Sequence, residues 1–254
     1  PDTDGDGETD HEEYLAGSNP LDAEVGMLNR GLVAYYPFNG NANDESGNQN
    51  HIQEPSLGFD RFGFNNKSAN FYNDQTINQE VVFDENTKEF TINLWAFVRS
   101  LDTSLEQKNL IDSESNITLR LYRGNVEFYL TQASRNAGNF LSINGSFLPL
   151  NEWTNITCTL SNQKITIYIN GVLHGARVDQ NQIPDWKSVF RYGLSYDGLI
   201  DDIRIYDRAL SEYEIAQLFL EDIEFDIQEE TSAPRITGFT PQSGSPGTRV
   251  VLTG

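Results

Sequence analysis

The chain has 254 residues, 37% hydrophobic and 11% aromatic, with a formal net charge of −21. It is long enough for one substantial core with small appendages, and its charge excludes nucleic acid and anionic membrane surfaces as partners, since both would be repelled. A single cysteine, Cys158, excludes an internal disulfide and a cysteine-rich metal site, and no apolar run is long enough to insert across a membrane.

The first element is a run of acids, Asp2-Thr-Asp4-Gly-Asp6-Gly7-Glu8-Thr-Asp10-His-Glu-Glu13. Oxygens fall at every ligand position of an EF-hand-type loop: the side chains of Asp2, Asp4, Asp6 and Asp10, the Glu8 carbonyl, and a closing Glu13. Gly7 stands at the sixth position, where the loop turns sharply and a Cβ would obstruct it. Without a cation the acids would repel one another, so the spacing predicts bound Ca2+. A short helix over 12–16, stopped by Gly17, and a turn at Ser18-Asn19-Pro20 complete a unit of residues 1–22. With the continuation Asp10-His-Glu-Glu-Tyr-Leu-Ala-Gly-Ser-Asn-Pro-Leu-Asp22, the unit resembles the bacterial thrombospondin type 3 and dockerin-like calcium repeats that link domains in exported proteins. Glu8 departs from the small apolar residue usual there, but that position offers its carbonyl. No signal peptide opens the sequence, and because it begins inside a repeat there is room for one upstream.

Residues 23–30 read as a linker. Short strands follow from Gly31: 32–38, 90–98, 117–122, 126–130, 153–160 and 164–169, with no helical periodicity among them. In Phe90-Thr-Ile-Asn-Leu-Trp-Ala-Phe-Val98 one face is wholly apolar and the other carries two aromatics, the pattern of a strand packed between layers. Asn170-Gly171 suits the left-handed pair of dihedrals of a two-residue hairpin, and Arg123-Gly124-Asn125 reads as another turn. Cys158 alternates with Ile156 and Leu160 and is expected to be inert core. Ser211 and Glu214 form a capping box ahead of Ile215, Leu218 and Phe219, which predicts a closing helix.

The order of these segments carries a second resemblance. Gly31-Leu-Val-Ala-Tyr-Tyr-Pro-Phe-Asn-Gly40, with Asn-Asp-Glu-Ser-Gly-Asn-Gln-Asn-His51 after it, Phe90 to Trp95, Glu152-Trp153, Ile167-Tyr-Ile-Asn-Gly-Val172 and Gly198-Leu-Ile-Asp-Asp-Ile-Arg-Ile-Tyr-Asp-Arg-Ala-Leu-Ser211 resemble the laminin-G-like, concanavalin A-like domains of bacterial secreted proteins. The resemblance implies an all-β fold over residues 31–220, a jelly-roll β-sandwich of two antiparallel sheets, often with a structural calcium. Residues 221–233 read as an acidic linker. Pro234 to Gly254 resembles the start of an immunoglobulin-like TIG domain, of which only the first strands are present, so the protein is expected to continue.

The family pattern implies a second calcium, held by Asp201 with loop oxygens around Asn39, Gly40 and Asp44. The alternative is a salt bridge from Asp201 or Asp202 to Arg204 or Arg208, and since neighbouring side chains on a strand point oppositely, only one of the two acids is expected in a given site. Trp95 and Trp153 stand where the family has buried tryptophans. Trp186, in a polar stretch, is the candidate with Tyr192 and Tyr196 to line a loop-borne site for a sugar, whose ring face stacks on aromatics; the alternative is ordinary packing under a long loop. Glu224-Phe-Asp226-Ile-Gln-Glu229 matches the acid pattern of glucanases of this fold class, but it follows the closing helix, whereas in those enzymes it lies inside the sandwich. His11, His51 and His174 form no triad. The reading is a non-catalytic, calcium-stabilised module of a secreted or surface protein, with neighbouring domains in the same chain, that binds a glycan or an extracellular protein; the alternative is a spacer without a ligand.

Overall fold

The structure, a computed structural model, describes residues 28–72, 76–81, 87–100, 107–113, 117–130, 139–178, 188–220, 238–240 and 251–253, with Thr3, Asp10 and Leu21. Its described strands in chain order are β1 (Leu32–Tyr36), β2 (Leu57–Phe59), β3 (Asn65–Phe71), β4 (Ile77–Val81), β5 (Phe90–Val98), β6 (Gln107–Ser113), β7 (Ile117–Tyr122), β8 (Asn125–Leu130), β9 (Asn139–Phe147), β10 (Trp153–Ser161), β11 (Lys164–Ile169), β12 (Val172–Val178), β13 (Ser188–Tyr192), β14 (Gly198–Tyr206), β15 (Gly238–Thr240) and β16 (Val251–Thr253). They form two compact units, Pro1–Phe219 and Leu220–Gly254. In the second, β15 pairs antiparallel with β16.

In the first unit an eight-stranded sheet runs β12-β11-β10-β5-β14-β3-β2, with β1 also on β14, and a six-stranded sheet runs β4-β13-β6-β7-β8-β9. Every strand pairing in both sheets is antiparallel. The apolar sets of facing strands meet between the sheets: Phe90, Ile92 and Leu94 of β5, Ile156, Cys158 and Leu160 of β10, and Ile117, Leu119 and Phe128 of the six-stranded sheet are all buried. This is the jelly-roll sandwich of concanavalin A-like proteins. Burying each large side chain contributes roughly 1.5–3 kcal/mol.

Turn chemistry closes the hairpins. Asn170 and Gly171 both have positive φ and join Ile169 to Val172 with no spare residue. Arg123 and Gly124 do the same between Tyr122 and Asn125, so Asn125 belongs to β8 and the turn is one residue shorter than expected. Asn162 and Gln163 form a third such turn between β10 and β11 without any glycine.

The capping box forms as expected. The Ser211 amide donates to Glu214 Oε2 at 2.6 Å, and the Glu214 amide to Ser211 Oγ at 3.2 Å. The helix over 212–220 lies against the eight-stranded sheet and buries Ile215 and Leu218 with Tyr168, Tyr206, Leu210 and Leu28. Leu28 lies in the segment expected to be a linker, yet it packs into this small cluster. Phe219 stacks on Trp95 at 5.7 Å, so that tryptophan is covered from outside.

Candidate ligand-binding face

β14 changes partner part-way along. Gly198 to Ile200 pair with β3, Ile203 to Tyr206 pair with β1, and between them the register against β5 slips at Asp201–Arg204. Asp202 takes a left-handed backbone, φ 46°. Such a bulge re-aims side chains, and here it turns both acids toward one cation. Arg61 Nη1 lies 2.6 Å from Asp202 and 3.5 Å from Asp201. The expectation that only one of two neighbouring acids can enter a site fails because strict alternation ends at the bulge. Tyr35 donates its hydroxyl to Asp202 Oδ1 at 2.8 Å and receives Arg204 Nη2 at 3.1 Å. The Arg61 guanidinium also covers the rings of Phe62 and Trp95, at 4.6 and 4.8 Å.

This arrangement does not fit the second calcium. Asp201 is buried against Arg61, a cation already in place. Asp44 gives Oδ1 to the amides of Tyr35 and Ser46 and Oδ2 to that of Asn50, within 3.0 Å, and its own amide donates to His51 Nδ1. It therefore pins the loop after β1 as an anchor for backbone amides. Asn39 accepts from Lys67, and the Gly40 amide donates to Phe38 and Asn66 carbonyls. The side-chain oxygens of Asn39, Asp44 and Asp201 serve separate partners. Among the described residues no cluster of three or more His, Cys, Asp or Glu is placed to hold a metal. Burial, and then the neighbouring Asp202, hold the Asp201 carboxyl well above the usual range, with Arg61 opposing.

Of the first calcium loop, Asp2, Asp4, Asp6, Glu8 and Glu13 lie outside the described residues. Asp10 accepts the Thr3 amide on Oδ1 and the Thr3 hydroxyl on Oδ2, both at 2.8 Å, and the hydroxyl bond leads in lowering its pKa. Residues 3 and 10 therefore meet across the run.

The aromatic site divides. Trp186 lies outside the described residues, as do Glu224, Asp226 and Glu229. Tyr192 and Tyr196 are core: Tyr192 stacks on Phe190 and meets Tyr36 edge-on, while Tyr196 packs against Phe71 and donates to the Phe97 carbonyl at 2.9 Å. Burial raises both phenols far above their ordinary range. Neither ring is open to a ligand. Trp95 is buried, and Trp153 is half-buried against Phe59 and Phe97.

A polar constellation does converge on the outward face of the six-stranded sheet. Along β7 the core takes Ile117, Leu119 and Leu121, so Thr118, Arg120 and Tyr122 face away from it. Across the strands Arg191, Asp112 and Thr118 stand in register. Asp112 is paired with Arg191 and accepts the Thr118 hydroxyl at 2.9 Å. One rung along, Arg120 Nε and Nη2 reach Glu127 Oε2 at 2.9 and 2.8 Å. Arg120 and Arg123 flank the Tyr122 ring at 5.3 and 5.2 Å. Arg191 keeps 32% of its side chain exposed and Arg120 19%, while their acids are mostly covered. The rungs thus present fixed guanidinium donors beside an aromatic ring, the groups that orient polyhydroxylated or acidic ligands. The alternation Thr118, Arg120, Tyr122 against Asn125 and Glu127 was the sequence signal for this face.

A sandwich of two antiparallel sheets in this order is the architecture of concanavalin A-like modules. The chain belongs to the concanavalin A-like lectin/glucanases superfamily, matching its Laminin_G_3 model over residues 68–216. Similar solved structures include the binding domain of Paraclostridial Mosquitocidal Protein 1 (TM-score 0.65, 20% identity, 77% of this chain and 53% of that one). Another is the botulinum neurotoxin serotype D ligand binding domain in complex with N-acetylneuraminic acid (TM-score 0.66, 16% identity, 79% and 53%). A third is the botulinum neurotoxin DC binding domain in complex with rat synaptotagmin II (0.63, 17%, 76% and 52%). At these identities the likeness is one of fold, and the chain spans about half the length of each neighbour. No curated protein sequence matches.

Proposed function

We propose that the sandwich is a non-catalytic recognition module, binding a glycan or an extracellular protein through the outward face of its six-stranded sheet. The observation that carries this reading is the in-register ladder of Arg191, Asp112, Thr118, Arg120 and Glu127 beside Tyr122. Support comes from neighbours of the same fold that are binding domains, one in complex with N-acetylneuraminic acid and one with rat synaptotagmin II. Asp112 and Glu127 are each engaged by an arginine, which suits them to fixing those donors rather than to acid–base exchange. Trp186, which precedes β13 in sequence, is proposed to contribute to ligand binding.

The amino-terminal run is proposed to bind one Ca2+ through Asp2, Asp4, Asp6, Glu8, Asp10 and Glu13, supported by its ligand spacing. Bound there, the ion would neutralise the acids and stiffen the connection to a preceding domain. A TIG-like segment at 234–254 is proposed as well, and with the calcium run it would make this sandwich one module of a secreted or surface-displayed multidomain protein. The burial of Tyr192 and Tyr196 favours a second reading, a spacer without a ligand. A glycan array of the full chain, beside its Arg120→Ala and Trp186→Ala variants, separates the two. Binding that falls in Arg120→Ala supports the module; silence across a broad array supports the spacer.

A further inference from the structure

A groove of about 860 Å³ opens on the other sheet, between β10, β11 and the start of the closing helix, well within the size range of small-ligand sites. Thr159 and Thr166 stand directly opposite each other on its floor. They are 5% and 4% exposed, and Tyr168 beside them is 6% exposed. None of the three side-chain hydroxyls has a hydrogen-bond partner among the described residues, although each residue is more than nine-tenths buried. Their oxygens are not among the buried polar atoms left without a partner, so solvent reaches them through the open groove and they are available to donate to and accept from a ligand there.

The charges around the groove differ from the rest of a chain at −21. Arg208 is committed, donating to the Arg30 carbonyl and Glu214 at 2.6 Å each. Glu89 accepts the Ser161 hydroxyl at 2.7 Å. Lys164 and Arg30 line the same groove, and their exposed side chains have no partner among the described residues. Glu212 is the one acid there without a described partner.

We propose that this groove is a second binding site, for a saccharide carrying a carboxylate, on the opposite side of the sandwich from the ladder. The threonine and tyrosine hydroxyls take the ring hydroxyls, and Lys164 with Arg30 takes the carboxylate. Occupied together with the ladder, it would let one module bridge two chains of a matrix.

Titration calorimetry of the full chain with oligogalacturonate, and with its uncharged methyl ester, tests the site. The acid form is expected to bind at least about tenfold more tightly than the ester, and Lys164→Gln to lose about tenfold. A Thr159→Val and Thr166→Val pair is expected to lose a similar factor. Should the valine pair fail to fold, Lys164→Gln decides alone, since that residue is exposed. No binding, equal binding of acid and ester, or binding untouched by Lys164→Gln overturns the proposal. Loss in Arg120→Ala alone would assign the ligand to the ladder.

Discussion

Arg61 and Asp202 meet at 2.6 Å where β14 leaves β3 for β1, so a guanidinium from the β2–β3 loop closes the gap between two partner strands. Each partner is nearly enclosed, with 11% and 10% of its side chain exposed. Removing one therefore strands a buried charge. Arg61→Ala is expected to cost about 3–5 kcal/mol in urea unfolding, with Asp202→Asn similar or slightly less. A loss below about 1 kcal/mol would show that the pair is replaceable by water.

Asp201 responds in the opposite sense. Its carboxyl is held above the usual range, so the folded state disfavours ionisation. Stability from this group is complete below the unfolded value near 4 and falls as pH rises through the folded value. Asp201→Asn removes that fall. The variant is expected to gain in melting temperature relative to the parent as pH increases from 4 to 8, by a few degrees at the upper end. A gap between the two curves that is constant with pH would refute the assignment.

Gly193 has φ 75°, and a Cβ there would lie 1.9 Å from Phe71 Cδ1. Gly193→Ala combines a disfavoured backbone with overpacking, together about 3 kcal/mol. Denaturant midpoints measure it, and a change under about 1 kcal/mol would mean that Phe71 moves aside freely. Ser211→Ala, which removes one half of the capping box, is expected to cost about 1 kcal/mol by the same assay.

Calcium is expected to act locally. Calorimetry should register one calcium site that disappears in an Asp4→Ala and Asp6→Ala variant, with the sandwich melting where it did before. A sandwich that unfolds with chelator would show an ion coupled to its core.

The sandwich was legible wherever burial dictates composition. β5, β7 and β11 have the bounds their apolar spacing predicts, because a strand between layers leaves few polar positions. β3, reading Asn-Asn-Lys-Ser-Ala-Asn-Phe, was not, since pairing through the backbone with β14 and β2 sets it in the sheet and its side chains say little. The Asp201 site was misread for a related reason. Alternation is a local rule, whereas the bulge exists because β14 serves two partners distant in sequence. The ladder's residues were visible one strand at a time, but their register across four strands is a property of the sheet.

The thiol of Cys158 sits in the middle of β10, with β5 on one side and β11 on the other, and is wholly buried. A chain with one such group carries its own clock. An alkylating reagent finds nothing to modify until the central strands part, so the rate of labelling in native buffer times the opening of the sandwich's middle, without any introduced probe.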